Sequence, residues 1–352
     1  MIRLRVPARI CFFGDHQDYL GLPVIAGTIN RYLNLEAQPQ DRAEFTLDLP
    51  DLGKERSLPL EVDAKRVEAG DFLSAALVIL CQKGFQFSQG YRVCISSAIP
   101  LNAGLSSSSA LVVAWIRFLV ATQDKRKVSD KDIGHWAYEA EVGFFNSPGG
   151  LMDQYTIAQQ GLLFINTTTG ETKRLPGDLG TLVVSESGLP KETNAVLSNA
   201  RSFQERAIAQ VRGEYPEFQL LQATALEHAR FSAAVEKELQ DHWYAAIYNY
   251  QITKEAAERL SIADSEIKPL GTLMNAHQMI LENCIKNTPI AMQKMMQAAR
   301  AAGASGTKII GSGGGGCMLA MTKEDKAETV IEAFLEAGAK AAYTVELTTT
   351  EE

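Results

Sequence analysis

A glycine- and serine-rich turn that leads directly into an apolar helix constrains this chain more than any other feature. It reads Pro100-Leu-Asn-Ala-Gly-Leu-Ser-Ser-Ser-Ser109-Ala-Leu-Val-Val-Ala-Trp-Ile. Small residues let the backbone curl around an anion, and the first N–H groups of a helix lie unpaired at the positive end of its dipole. The turn is therefore typical of a phosphate-binding loop. The alternative interpretation is an ordinary loop of small residues that precedes a core helix. It contains neither a Walker Gly-Lys-Ser/Thr nor a Gly-x-Gly-x-x-Gly fingerprint.

The length and the charge of the chain limit its number of domains and its possible partners. With 352 residues the chain is long enough for two domains, and its 46% hydrophobic and 22% charged residues are typical of a globular protein. The formal net charge of −8 argues against nucleic acid as the main partner.

Cysteine usage and hydropathy bear on location. Five cysteines, an odd number with no Cys-x-x-Cys pair, favour a reduced, cytoplasmic setting. The most apolar segment, 111–121, contains Arg117 and is too short to cross a bilayer, so we expect no membrane association. The sequence does not indicate an oligomeric state.

Hydrophobic spacing gives a coarse order of elements. In the first half it predicts strands over 2–13, 20–29, 31–36, 91–96 and 162–165, a hairpin over 44–60, and helices over 72–83, from the serine loop to about 123, over 130–143 and through Asp153. In the second half it predicts a strand over 181–185, mostly helix over 194–300 and a final strand over 342–347. Thr322 is expected to cap a helix that Gly338 ends.

A second glycine run, Gly311–Gly316, lies between two short apolar segments. These segments predict a strand, a hairpin loop and a strand, and a flexible linker is the alternative. A dehydrogenase function is not favoured, because no helix follows the run and no ribose-binding acid stands at the expected distance.

Four motifs together resemble the GHMP small-molecule kinases, most nearly the galactokinases among them. They are Pro7-Ala-Arg9-Ile-Cys-Phe-Phe-Gly-Asp15-His16-Gln-Asp18-Tyr19-Leu-Gly21, the loop at 100–110, Ser147-Pro-Gly-Gly-Leu-Met-Asp153-Gln-Tyr155, and Gly303-Ala-Ser-Gly-Thr-Lys308-Ile-Ile-Gly311-Ser-Gly-Gly-Gly-Gly316-Cys317. The resemblance implies an α+β fold of two domains. Residues 1–180 would form a ribosomal-S5-domain-2-like domain and residues 181–352 a ferredoxin-like domain, with the active site in the cleft between them.

The same resemblance implies ATP and Mg²⁺ as cofactors. Phosphate contacts would come from two loops: Asn102, Ala103, Gly104, Leu105, Ser106, Ser107 and Ser108 in the first, and Gly313 and Gly314 in the second. Ser108 and Glu141 would hold Mg²⁺, which favours a few protein oxygens beside phosphate and water. A helix cap for Ser108 and a solvated helix residue for Glu141 are the plain alternatives.

The resemblance also assigns the acceptor side. Asp153 would accept or orient the proton of the attacking hydroxyl, and Arg9 would lie near it, lower its pKa and stabilise the transferred charge. An ordinary helix aspartate and a surface arginine are the alternatives. Asp15, His16, Asp18, Tyr19 and Asp153 would bind a sugar, although His16 is equally suited to a structural role.

The expected activity is therefore ATP-dependent phosphorylation of the anomeric hydroxyl of a galactose-like hexose or a related sugar or uronic acid. A mevalonate-kinase-like enzyme and a sugar and ATP sensor without turnover are the alternatives. Two departures from the galactokinase pattern make galactose itself less certain than kinase activity: Asp15 stands where glutamate is common, and Asn102 stands where glycine is usual.

Overall fold

The computed structural model describes residues 1–122, 127–190 and 193–348, with the backbone alone for 193–195. The predicted end of the serine-loop helix near 123 and the last four residues of the predicted second domain lie outside this part of the chain. A seven-stranded sheet occupies the first half. Its strands are β1 (Ile2–Phe13), β2 (Val24–Gln40), β3 (Glu44–Leu49), β4 (Lys54–Pro59), β5 (Gly90–Ser97), β6 (Leu162–Asn166) and β7 (Glu171–Arg174).

The first sheet is built around the long hairpin of β1 and β2. Its order is β4-β3-β5-β2-β6-β7, with β1 paired to β2. The pairing of β1 and β2 is antiparallel, and its register shifts between Pro7 and Ala8, where proline has no N–H to donate to the ladder. The two strands predicted over 20–29 and 31–36 are in fact one strand from Val24, since residues 18–20 form a short 3-10 turn instead.

Four helices accompany this sheet: α1 (Phe72–Gln82), α2 (Ser107–Ala121), α3 (Asp130–Tyr138) and α4 (Met152–Gln159). The apolar residues of α2 make it the central helix of the core, and Trp115 and Phe118 are fully buried. A capping box between Ser129 and Asp132 begins α3. The helix predicted to reach residue 143 does so, but its last turn, Glu139–Gly143, is a π-helix.

A four-stranded sheet occupies the second half, in the order β11-β8-β10-β9. Its strands are β8 (Thr181–Glu186), β9 (Gly306–Ile309), β10 (Cys317–Thr322) and β11 (Ala341–Val345). Its helices are α5 (Thr193–Glu214), α6 (Ala225–Phe231), α7 (Gln240–Leu260), α8 (Ile267–Ile280), α9 (Ile290–Ala301) and α10 (Ala327–Glu336). None of the helices in the described residues is long and apolar enough to cross a membrane.

The predictions for the glycine run, for Thr322 and for Gly338 have different outcomes. The glycine run does join two antiparallel strands, β9 and β10. Thr322 does not cap a helix: it is the last residue of β10 and pairs with Thr181, and α10 begins only at Ala327. Gly338, with φ +100°, follows the end of α10 as expected.

The two halves of the chain meet at their loops. The N–H of Cys317 donates to the carbonyl of Ala103 (2.8 Å), and the Lys308 Nζ donates to the carbonyl of Cys11 (3.0 Å). The glycine run is thereby held beside the serine-rich loop and the end of β1. The domain boundary at 180/181 stays a prediction, since no observation tests it.

Candidate active site

A cavity of about 750 Å³ lies where these loops meet. Most of its lining comes from four chain segments: the end of β1 with the turn after it, the serine-rich loop, the stretch from Glu141 to Gln154, and Gly311 with Ser312. Phe72 of α1 and Leu197 of α5 complete the lining. The four motifs of the sequence therefore meet at one cavity.

Arg9 and Asp153 form a two-pronged ion pair in this cavity. Arg9 lies on β1 with its side chain 5% exposed, and Asp153 is the second residue of α4. Arg9 Nε donates to Asp153 Oδ1 and Nη2 to Oδ2, both at 2.7 Å, while Nη1 donates to the carbonyl of Gly104 at 2.7 Å. Burial lowers the pKa of Arg9, but its attraction to Asp153 and the hydrogen bonds between them outweigh burial and raise that pKa above its ordinary value. Arg9 therefore stays charged and fixes the plane of the Asp153 carboxylate.

Ser106 makes a further contact with the same carboxylate. Its Oγ donates to Asp153 Oδ2 at 2.6 Å. The residue has φ +58° and is the N-cap of α2, although its side chain makes no capping hydrogen bond. Its hydroxyl is thus directed at Asp153 rather than back at the helix.

The N-terminus of α2 opens into the cavity. Ser107, Ser108 and Ser109 line the cavity, as do Asn102, Ala103, Gly104 and Ser106. The first intrahelical bond is from the N–H of Ala110 to the carbonyl of Ser106, so the N–H groups before it are the ones that an anion can accept. Leu105 differs from its neighbours, because its side chain is fully buried in the core.

Glu141 lies at the same end of the cavity, on the π-helical turn after α3. Its Oε2 accepts from Ser109 Oγ (2.7 Å) and from Gln154 Nε2 (2.6 Å). Burial raises the pKa of Glu141, and hydrogen bonds from Ser108, Ser109 and Gln154 act against that rise without cancelling it. Neither Ser109 nor Gln154 was predicted as a site residue, and the available signals were their positions next to Ser108 and Asp153.

The donors available to a metal ion here are few. The described residues contain no group of three or more His, Cys, Asp or Glu side chains arranged to hold a metal ion. One carboxylate and one hydroxyl, Glu141 and Ser108, fit a Mg²⁺ ion that takes its other ligands from phosphate and water.

Asp18 also lines the cavity, half-buried in the turn after β1. A Cβ at Gly150 would overlap its carboxylate, so the two residues are in direct contact. Burial raises the pKa of Asp18, the negative charge of Asp153 adds to the rise, and the result is about 7. This end of the cavity therefore has two carboxylates whose mutual repulsion is relieved by a proton or by hydroxyl groups.

Asp15 lines the same cavity but is bonded within the protein. Its Oδ2 lies 2.8 Å from Lys308 Nζ in a fully buried ion pair, and its Oδ1 accepts from the N–H of Gly311 (3.1 Å). Burial raises the pKa of Asp15, but the charge of Lys308, the neighbouring His277 and hydrogen bonds from Lys308 and Cys11 together outweigh burial, so the pKa lies below its ordinary value. This geometry favours a structural role for Asp15, and its predicted contact with a sugar stays a prediction.

His16 and Tyr19 connect the turn to the second half of the chain. The His16 Nε2 lies 3.0 Å from the carbonyl oxygen of Ser312, and its Nδ1 lies 3.2 Å from the Tyr19 hydroxyl. That hydroxyl donates to Gln204 Oε1 at 2.8 Å. His16 is 3% exposed, which favours the structural alternative for it.

Gly313 and Gly314 are not among the residues that line the cavity; Gly311 and Ser312 are. The Cα of Gly313 faces Asn287 and Ile309, and the N–H of Gly314 donates to the carbonyl of Asn287 at 2.6 Å. The glycine run therefore turns away from the cavity after Ser312, and this geometry gives no support to the predicted contacts of Gly313 and Gly314 with ATP.

Known protein families match segments in both halves of the chain. The family model "GHMP kinases N terminal domain" matches residues 71–161, and "GHMP kinases C terminal" matches residues 254–340, together about half of the chain. The galactokinase of Thermococcus kodakarensis is 28% identical over 335 residues, covering 94% of this chain and 91% of that protein. The mevalonate kinase of Thermococcus gammatolerans is also 28% identical over 335 residues, covering 92% of this chain and 89% of that protein.

Solved structures share the fold. The crystal structure of Lactococcus lactis galactokinase complexed with galactose superposes with a TM-score of 0.86 at 20% identity, covering 98% of this chain and 93% of that one. The Methanococcus jannaschii mevalonate kinase superposes with a TM-score of 0.72 at 18% identity, covering 99% and 98%. The chain belongs to the GHMP kinases, a family of ATP-using phosphotransferases, and has their two-domain α+β fold.

Proposed function

We propose that this chain is an ATP-dependent sugar kinase that phosphorylates the anomeric hydroxyl of a neutral, galactose-like hexose. The relatives named above divide between galactokinases and mevalonate kinases at the same identity. The choice between a sugar and mevalonate therefore depends on the acceptor side of the cavity.

The nucleotide side supports binding of a triphosphate with its metal. The N-terminus of α2 offers N–H groups and the positive end of the helix dipole to phosphate. Ser108 and Glu141 are the residues that would hold Mg²⁺, which supplies positive charge against the charge of the transferring phosphoryl group.

The centre of the cavity supports proton transfer from an acceptor hydroxyl. Asp153 Oδ1 accepts from Arg9, and Asp153 Oδ2 accepts from both Arg9 and Ser106. A carboxylate held in this way orients an incoming hydroxyl and accepts its proton as the new O–P bond forms. Arg9 offsets the negative charge that gathers around the reacting oxygens.

The charged residues that line the cavity favour a neutral polyol as the acceptor. Among the described residues that line the cavity, Arg9 is the one arginine or lysine, and it is bound to Asp153. The acceptor end instead has the carboxylates of Asp18 and Asp153, which accept hydrogen bonds from hydroxyl groups. Mevalonate has a carboxylate of its own, which these two acids would repel.

The carboxylate of a uronic acid would be repelled by the same two acids. A further cation beside the cavity is Arg201 on α5, whose Nη1 donates to the carbonyl of Pro148 (3.3 Å). Its Nε donates to Glu205 Oε1 at 2.8 Å, so its charge is already paired. A neutral hexose needs no such cation.

A panel of acceptors tests the proposal. Purified protein with ATP and Mg²⁺ is offered neutral hexoses, the matching uronic acids and mevalonate, and ADP release is followed. We expect release with at least one neutral hexose and none with mevalonate. Release with mevalonate alone would overturn the assignment, whereas binding of sugar and ATP without any release would favour a sensor.

A further inference from the structure

Gln154 has a buried side-chain amide whose hydrogen bonds are made to residues outside its own helix. It follows Asp153 on α4 and is 2% exposed. Its Nε2 donates to Glu141 Oε2 at 2.6 Å and lies 3.4 Å from Ser109 Oγ. Its Oε1 is buried and accepts no hydrogen bond within the described part of the chain. A residue that only filled space here would not need an amide, because a buried amide oxygen without a partner is costly.

Ser109 is a second donor to the Glu141 carboxylate. We call Glu141, Ser109 and Gln154 the triangle. The Ser109 Oγ donates to the same carboxylate oxygen, Oε2, at 2.7 Å. Two donors on one oxygen fix the plane of the carboxylate, so its orientation is set before any ligand arrives. The π-helical turn of Glu139–Gly143 brings Glu141 to this position, and such turns occur often at functional sites.

The triangle lies next to the surroundings of Asp153, because Asp153 and Gln154 are consecutive residues of α4. Consecutive residues of a helix point about 100° apart, so Asp153 contacts Arg9 and Ser106 while Gln154 contacts Glu141 and Ser109. Helix α4 therefore places one side chain at the acceptor and the next one at the carboxylate on the nucleotide side.

We propose that Gln154 is a positioning residue that holds the Glu141 carboxylate for the divalent cation that accompanies ATP. The proposal rests on the proposed kinase function. Removal of the amide leaves Glu141 with its serine donors, Ser108 and Ser109, so the carboxylate is held less firmly in its present orientation. Outer partners of metal ligands contribute about 10- to 100-fold to metal affinity.

The test compares Gln154→Leu with a matched control on the same helix. Thr156 is fully buried and its Oγ1 donates to the carbonyl of Met152 within α4 (2.7 Å), so Thr156→Val removes a buried hydrogen bond that does not involve Glu141. Ser109→Ala removes the second donor. Thermal melts establish that each variant folds.

Two readouts that need no turnover separate positioning from packing. Calorimetry gives the affinity for ATP with Mg²⁺ and with a chelator, and electron paramagnetic resonance gives the affinity for Mn²⁺ in the presence of ATP. We expect Gln154→Leu to weaken Mn²⁺ binding about 10- to 100-fold, Ser109→Ala to weaken it less, and Thr156→Val to match the wild type. ATP affinity in the chelator should be the same in all four proteins.

Steady-state kinetics give a third readout. For Gln154→Leu the apparent KM for Mg²⁺ should rise while the KM for the acceptor stays unchanged. A folded Gln154→Leu with wild-type Mn²⁺ affinity would overturn the proposal. If no acceptor is phosphorylated by the wild type, the proposed function fails, and the Mn²⁺ comparison still decides the role of Gln154.

Discussion

Arg9 holds Asp153 by two parallel hydrogen bonds of 2.7 Å each, and uses its remaining nitrogen to hold the carbonyl of Gly104 in the serine-rich loop. One buried guanidinium therefore fixes the proposed catalytic carboxylate against the proposed phosphate loop. Lysine has the same charge, but its single nitrogen lacks the planar fork that makes these three bonds together.

Arg9→Lys should retain the fold and lose rate. A charge-assisted hydrogen bond contributes about 1.5–3 kcal/mol, so we expect kcat to fall about 10- to 100-fold as Asp153 loses its fixed plane. The affinity for ATP should change little. Steady-state kinetics and calorimetry measure the two quantities, and an unchanged kcat would show that the paired geometry is dispensable.

Gly150 and Gly149 offer a matched pair of substitutions. A Cβ at Gly150 would overlap the Asp18 carboxylate, whereas at Gly149 its nearest neighbour is Val142 Cγ2 at 3.5 Å, an ordinary contact. Gly150→Ala should therefore displace Asp18 and raise the KM for the acceptor, while Gly149→Ala stays close to the wild type. Equal effects of the two substitutions on acceptor KM would argue against Asp18 as part of the acceptor site.

The buried pair of Asp15 and Lys308 should dominate local stability. Both side chains are almost fully buried, at 1% and 0% exposure. Removal of one partner leaves an uncompensated charge, so Lys308→Met should lower the free energy of unfolding by about 3–5 kcal/mol. Urea denaturation measures this loss.

The double variant Asp15→Asn, Lys308→Met is the control for that prediction. It removes both charges and should recover part of the stability, although the carbonyls of Cys11 and Ile309 lose their donor. A double variant no more stable than Lys308→Met alone would contradict the account of an isolated charge.

Asp18 should make the stability depend on pH. Its pKa is about 7 in the folded protein, against about 4 for an unfolded aspartate. Between these values the folded state binds more protons, so the free energy of unfolding falls as pH rises from about 4 to about 7 and is level above. Asp18→Asn removes this dependence, and its melting temperature should exceed that of the wild type at pH 8 by more than at pH 4.5.

The exposed Asp325 is the control residue, since Asp325→Asn changes a carboxylate that does not line the cavity. Its melting temperature should follow that of the wild type across the same pH range. If Asp18→Asn follows the wild type equally closely, the carboxylate pair does not exist in solution.

The sequence motifs were sufficient to predict which segments meet at the site. Arg9, Asp18, Ser108 and Asp153 belong to these motifs and all line one cavity. Glu141 lines the same cavity but lies outside the motifs, and it was predicted from the resemblance to the family. The antiparallel pairing of β9 and β10 across the glycine run agrees with the strand, hairpin loop and strand predicted from the apolar segments.

Partners that are distant in sequence could not be predicted. Nothing near Asp15 indicates that Lys308 neutralises it, and nothing in the glycine run indicates that the chain turns away from the cavity after Ser312. Gln154 was overlooked for a similar reason: its contact with Glu141 depends on the π-helical turn, which local propensity does not reveal. Thr322 was wrongly given a capping role, because pairing with Thr181 extends β10 through it.

Phosphorus NMR of the product is the most direct test of the central claim, that Asp153 directs the anomeric hydroxyl of a neutral sugar at ATP. The account predicts a sugar 1-phosphate whose phosphorus couples to the anomeric proton, formed by the wild type and absent with a folded Asp153→Asn that still binds ATP. A phosphate on any other oxygen, a product formed from mevalonate alone, or wild-type rates in Asp153→Asn would contradict it.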